Sequence, residues 1–236
     1  MSELISVSEL RVRRGAFQLH VPSWSVPAGC VVGVVGPNGA GKTTLLDLVC
    51  GFTRPDAGAV RVFGHDPHRE VEVVRARLGH MSDDMPVFRM SVAGLLRTLS
   101  GYYPTWDAEL AEELIARFEL DPGARTWKLS KGQGTRLRLV CAMAFRPQLL
   151  VLDEPATGLD VGGRRDLLRT VLEVVADSDR SVVVSSHLLT DLERVADTLL
   201  VLRGGRVLAH GPTDSLVGDD ATLEEAALRW QVGASR

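Results

Sequence analysis

Residues 36–43, GPNGAGKT, place three glycines, a lysine and a hydroxyl within eight positions. Gly36, Pro37, Asn38, Gly39, Ala40, Gly41, Lys42 and Thr43, with Thr44 following, fit the phosphate-cradling pattern G-x-x-x-x-G-K-[ST]. Glycines allow successive backbone N–H groups to turn toward phosphate oxygens, and a helix starting at the end of the loop adds its dipole. Lys42 is expected to reach the β- and γ-phosphates of a nucleoside triphosphate, and the Thr43 hydroxyl to take a place on Mg²⁺. A turn could carry these letters by chance, but a strand before the loop and a helix after it argue against that.

Four apolar residues, Leu149 to Leu152, lead to Asp153 and Glu154. That places two carboxylates at the C-terminal end of a strand, where open α/β sheets bind ligands. Asp153 is expected to hold Mg²⁺ through water, and Glu154 to orient or polarise the water that attacks the γ-phosphate. Two acids at a strand end are often solvated caps; a phosphate loop in the same chain favours the catalytic reading. His187 ends another apolar strand, VVVSSH, and emerges on the same edge. A lone histidine is usually structural, yet here it could hydrogen-bond the γ-phosphate.

A second glycine-containing stretch, LSKGQ at 129–133, opens the helix-like run GTRLRLVCAMAF. Ser130 is an N-cap candidate, and a helix N-terminus offers donors to an anion. The stretch could equally be no more than a helix start. Asp160, in ATGLD, precedes a further helical run and reads at least as its N-cap.

These groups need elements to hold them. The first 26 or so residues alternate apolar and polar, as half-buried antiparallel strands do. Val31 to Val35 form a short strand, Thr43 to Val49 begin a helix, and AVRVFG follows as a strand after the turn RPDAG. In DAELAEELIARFE, Ala111, Leu114, Ile115 and Phe118 recur at helical spacing. With SVAGLLRTLSGYY this predicts an inserted helical subdomain over about 84–146. Beyond Pro147 come strand LLVLD, helix 162–176, strand SVVVSS, helix 188–195 and a hairpin turning at Gly204-Gly205. Alternation of this kind implies a mainly parallel sheet. The core is expected over about 1–83 and 147–215, and the tail, 216–236, as a short helix with a loose end.

Composition narrows the classes. The 236 residues, 45% hydrophobic, suffice for one sizeable core. With 27 basic and 30 acidic residues and a formal charge of -3, no overall basic field points to nucleic acid. No apolar run approaches the ~20 residues of a membrane span, and the N-terminus lacks a signal-peptide pattern, so a cytoplasmic location is expected. Cys30, Cys50 and Cys141 are scattered among apolar neighbours and read as core residues, not a disulfide or zinc framework.

GPNGAGKTT, LSKGQ, LLVLDEP, ATGLD and His187 stand in the order and rough spacing of the nucleotide-binding subunit of ABC transporters. The chain resembles that family over about residues 1–215, and most resembles bacterial export-type subunits that work beside a separate membrane protein. The resemblance implies an α/β fold: a P-loop NTPase core with an N-terminal antiparallel β subdomain and an inserted α-helical subdomain. It also implies ATP with Mg²⁺, and a homo- or heterodimer in which Ser130, Gly132 and Gln133 of one subunit close over the nucleotide held by the other's P-loop. Asp160 would cross that interface, and His187 would link the γ-phosphate to the neighbouring subunit. The further partner would be a transmembrane permease, with the chain peripheral on the inner face of the membrane. Met85, Val87, Phe88, Tyr102 and Tyr103 could receive a short helix of it, or form the subdomain's own small core.

Three departures stand out. Where the family commonly has a glutamine, GHMSDDMPVF offers Asp83, which could approach Mg²⁺ but adds negative charge. The usual adenine-stacking aromatic is replaced by Arg13 or Arg14, with Phe17 close enough to substitute. Lys131 stands for a common glycine, with a side chain able to point outward. The expected function is ATP hydrolysis that drives transport, with export favoured over import. The alternatives are a soluble ABC-type regulatory ATPase not involved in transport and a degenerate subunit that binds ATP but hardly hydrolyses it.

Overall fold

The computed structural model describes residues 3–82, 88–176, 180–188, 192–193, 195–218, 222 and 225–226. Nine strands form one sheet in the order β4-β1-β2-β9-β8-β3-β7-β6-β5. They are β1 (Glu3–Arg14), β2 (Phe17–Pro27), β3 (Val31–Val35), β4 (Ala57–Val62), β5 (Leu78–Met81), β6 (Leu149–Leu152), β7 (Ser181–Ser186), β8 (Thr198–Arg203) and β9 (Arg206–Pro212). The pairs from β8 through β3, β7 and β6 to β5 are parallel, whereas β1 pairs antiparallel with β2 and β4, and β8 with β9. The two halves meet where β2 runs parallel to β9 through a single pair, His20 and Arg206. There the β8–β9 turn is tied to both sides: His20 N–H donates to the Gly205 carbonyl (2.7 Å) and Gly205 N–H to that of Ala40 (3.1 Å).

The central strands are apolar on both faces, as a covered parallel sheet requires. Val32, Val34, Leu149, Val151, Val183, Leu200 and Leu202 face one core with Leu45, Leu46, Leu48 and Val49 of α1 (Lys42–Val49) and the inner side of β1 and β2. Val35, Leu150, Leu152, Val182, Val184, Leu199 and Val201 face the other. That second core takes α3 (Val92–Ser100), α4 (Ala108–Arg117), α5 (Lys131–Met143) and α6 (Val161–Ala176). In α4, Ala111, Leu114, Ile115 and, just past its end, Phe118 are all buried, so the stripe read from sequence is the face that packs.

Two elements carry no clear sequence signal. The short α2 (Val71–Arg75) buries only Val74, and β5 interrupts its apolar letters with Gly79 and His80. Gly79 is required there, since a Cβ would stand 2.3 Å from the Ala142 carbonyl oxygen. Asp83, Met85 and Val87 lie outside the described residues, as do half of the helix expected at 188–195 and most of the tail.

Candidate functional site

The P-loop leaves β3 at Gly36, where a Cβ would lie 2.2 Å from the Leu202 carbonyl oxygen, and turns through Gly39 (φ +78°) and Gly41 (φ +108°). Gly41 is the N-cap of α1 and no side chain caps the helix. The first turn contains no acidic residue either. The N–H groups of a first helical turn have no intrahelical partner, so α1 starts as an anion site with nothing of its own to fill it. Lys42 is folded back beneath the loop, with Nζ donating to the carbonyl oxygens of Gly36 (2.7 Å) and Pro37 (3.3 Å).

Behind this loop β6 delivers two carboxylates. Asp153, buried, accepts from the Thr43 hydroxyl (2.6 Å) and from the Ser185 hydroxyl, and its N–H donates to the Met81 carbonyl of β5 (2.8 Å). Glu154 adopts φ +50°, a left-handed conformation unusual for a non-glycine residue and commonest where function demands it. Its N–H donates to Ser185 Oγ (2.9 Å). Oε2 meets His187 Nδ1 at 2.7 Å and the Thr157 hydroxyl at 3.3 Å. Oε1 lies 3.1 Å from Lys42 Nζ, an ion pair whose direction is not that of a hydrogen bond, so this buried oxygen accepts none. The Lys42 side chain is 6% exposed and that of Glu154 22%, so the pair is poorly screened. Lys42, Thr43, Asp153, Glu154 and His187 therefore converge as their spacing implies. Ser185, which donates to the Asp153 carboxylate and accepts from the Glu154 backbone N–H, is the functional residue that the sequence reading passes over; its signal is a pair of serines closing the strand SVVVSS.

These residues suit a magnesium triphosphate. Thr43 and Asp153 present hard oxygen donors side by side, and Mg²⁺ is ordinarily held by one or two protein oxygens together with substrate phosphates. Among the described residues no cluster of three or more His, Cys, Asp or Glu could hold an ion without such help. Oε1 of Glu154, buried without a hydrogen bond, is an acceptor waiting for a proton.

Ser130 and Gln133 form a capping box at the start of α5: the Gln133 N–H donates to Ser130 Oγ (3.2 Å) and the Ser130 N–H to Gln133 Oε1 (3.0 Å). The serine hydroxyl still has its own proton to donate. Asp160 caps α6, with Oδ1 accepting from the Gly163 N–H (2.7 Å). Lys131, expected to be able to point outward, lies against Gly158 in the turn before Asp160: a Cβ on that glycine would be 3.1–3.2 Å from its Cδ, Cε and Nζ. Gly132 similarly rests near Leu159 Cδ2.

The first hairpin separates its candidates for a base contact. Arg14 pairs across the strands with Phe17, whose ring lies 3.0 Å from where a Cβ on Gly41 would be. Arg13 takes its backbone N–H to Asp56 and its Nε to the Gly15 carbonyl.

On the far side of α1, a groove of about 240 Å³ runs between core and helices, lined by Phe52, His80, Phe88, Leu99, Tyr103 and Phe145 among others. Tyr103 stacks on Phe145 with centroids 3.9 Å apart, so it belongs to the wall; Phe88 is 61% exposed. Burial drives the His80 imidazole down to a pKa of about 4, with nearby Asp153 opposing and Arg75 assisting. Its Nδ1 has no hydrogen-bond partner. No helix among the described residues is long and apolar enough to cross a membrane.

A solved structure described as the ATP binding subunit of an ABC transporter superposes with a TM-score of 0.85 at 27% identity, covering 97% of this chain and 99% of that one. A bacterial Atm1-family ABC exporter with ATP bound gives 0.80 at 25% identity, covering 96% of this chain and 42% of that one. In sequence, a daunorubicin resistance ATP-binding protein of Streptomyces coeruleorubidus is 36% identical over 89% of this chain and 69% of its own length. A daunorubicin/doxorubicin resistance ATP-binding protein of Streptomyces peucetius is also 36% identical, and Nod factor export ATP-binding protein I of Neorhizobium galegae 34%. They match 81% and 84% of the chain, which spans only 60% and 58% of their lengths. The ABC transporter family pattern matches residues 19–157, from β2 through the phosphate loop to the turn after Glu154. With the loop, the paired carboxylates and the histidine assembled in one place, the chain belongs to the ABC transporter family, among its ATP-binding components.

Proposed function

We propose that the chain hydrolyses ATP to ADP and phosphate as one of a head-to-tail pair of such subunits, and that the cycle drives a separate membrane permease, in the direction of export. The observation that carries the hydrolytic reading is Glu154: held by His187 and Thr157 on one oxygen, it presents the other to Lys42 without a hydrogen bond. A triphosphate entering the loop draws Lys42 onto its terminal oxygens, where like charges gather. That leaves Glu154 Oε1 to accept a proton from water, while His187 keeps the carboxylate aimed. Mg²⁺, when bound beside Thr43 and Asp153, supplies charge neutralisation at the phosphates. Asp83 is proposed as a further, second-rank ligand. Ser130, Gly132 and Gln133, with Asp160, act on the nucleotide of the partner subunit, and the chain works at the inner face of the membrane.

On the base side, Phe17 is the better stacking surface, because its ring already lies on Gly41, with Arg14 beside it. The groove at Phe52, His80 and Phe88 is proposed to receive a short helix of the permease, since its exposed aromatics form an apolar slot on a chain with only 5% aromatic residues. The export direction rests on relatives named for drug resistance and Nod factor export.

Glu154→Gln tests the pair. Equilibrated with MgATP, the variant should sediment as a dimer and its ADP-loaded form as a monomer. A protein that stays monomeric with ATP, while the parent turns over at full speed, would end the two-subunit reading. Isolation of the native assembly should bring down a polytopic membrane protein, and Phe88→Glu should lose it.

A further inference from the structure

We infer that Lys131 is a positioning residue: laid over Gly158, it ties the start of α5 to the turn that begins at Glu154, so that the carboxylate of one nucleotide site and the donors offered to the other are set together. The inference rests on the two-subunit reading above and adds to it a mechanical link within each chain.

A lysine on a helix start is ordinarily free to sample solvent, and ordering its stem costs rotamer entropy. Here the stem has a surface to lie on. Gly158 is left-handed, φ +82°, and its missing side chain leaves a bare face against which Cδ, Cε and Nζ of Lys131 rest. The contact repeats one residue further on, where Gly132 meets Leu159 Cδ2 at 3.1 Å from its Cβ position. Residues 131–132 thus sit in register on 158–159. The underlying turn is stiffened by its own hydrogen bonds, from Thr157 N–H to the Glu154 carbonyl (3.1 Å) and from Leu159 N–H to the Ala156 carbonyl (3.2 Å). It starts with the Thr157 hydroxyl on the Glu154 carboxylate and ends with Asp160 capping α6. Upstream, the capping box holds Ser130 to Gln133 as one piece with α5. A displacement of Glu154 is therefore passed through fewer than ten residues of close packing to the Ser130 hydroxyl. A smaller residue at 131 would remove the stem's contact with Gly158 from that path.

The test uses the full chain with Lys131→Ala, which removes the stem, and Lys131→Met, which keeps its length without the charge. Without nucleotide, amide exchange at Thr157 and Leu159 should accelerate about fivefold in Lys131→Ala and stay near the parent in Lys131→Met. In steady-state ATP hydrolysis, Lys131→Ala should raise the half-saturating ATP concentration about fivefold or more and bring the Hill coefficient toward one, with maximal turnover little changed, whereas Lys131→Met should retain the parent's cooperativity. Parent-like exchange and cooperativity in Lys131→Ala would overturn the inference, as would a Lys131→Met that behaves like Lys131→Ala. Accelerated exchange in Lys131→Ala, together with a parent that forms no ATP dimer and shows no cooperativity, would instead overturn the two-subunit reading and the functional half of the inference with it.

Discussion

The starts of α1 and α5, the two helix ends proposed to face phosphate, are finished differently. At α1 the N-cap is Gly41, no side chain closes the first turn, and a buried lysine waits beneath it against a carboxylate. At α5 the cap is Ser130, and Ser130 and Gln133 satisfy each other's backbone N–H groups. The first site is incomplete until a ligand arrives; the second is a finished surface that can be presented as it stands. That is the division of labour expected if the nucleotide binds first to the P-loop and is then covered by a preformed lid edge from another subunit, because ordering both at once would cost more conformational entropy.

Substitutions can break this contrast, and the largest effect is expected on the unfinished side. Lys42→Ala removes both the phosphate contact and the cation beside Glu154, and ATP turnover should fall by ~10³-fold or more, with nucleotide affinity lost in equilibrium binding. Glu154→Gln should keep ATP binding and lower hydrolysis by ~10²-fold, as the loss of one positioned general base does; unchanged turnover would remove Glu154 from the mechanism.

The third effect is on stability and comes from the groove between core and helices. His80, beside Asp153's strand, has a folded pKa of about 4 against 6.5 for the free side chain. Below the free value the unfolded chain takes up a proton that the folded one refuses, so stability falls as pH drops through that window. Between pH 7.5 and 5 the loss is about 2 kcal/mol, measurable by urea unfolding, and His80→Gln should flatten it. An identical pH slope in the variant would exclude His80 as the source. Smallest is Ser130→Ala on the finished side: loss of the cap should cost about 1 kcal/mol of folding stability in the same assay while leaving ATP binding by the isolated subunit intact.

The same contrast explains what the sequence disclosed. The P-loop, the strand before Asp153 and the Ser130 N-cap are local: their spacing carries their geometry, and each could be read without knowing what packs on it. β5 escaped because its four residues include a glycine required by the Ala142 carbonyl and a half-buried histidine, neither of which advertises a strand. Ser185 escaped because its partners, Asp153 and the Glu154 backbone, are more than thirty residues away. The Lys42–Glu154 pair and the path of Lys131 over Gly158 are likewise tertiary facts. Arg13 and Arg14 look alike on paper; strand alternation and pairing with Phe17 separate them only once the hairpin register is known.

The seam between the two halves of the sheet has a consequence for how the molecule flexes. A sheet resists bending through its ladder of hydrogen bonds, and along β2 and β9 that ladder is one residue pair wide. The line of least stiffness therefore passes through Gly205, whose N–H is clasped to Ala40 in the P-loop. Any tilt of the antiparallel wing against the parallel one is delivered to the loop that grips the phosphates, and a ligand that tightens that loop stiffens the whole fold across its weakest line.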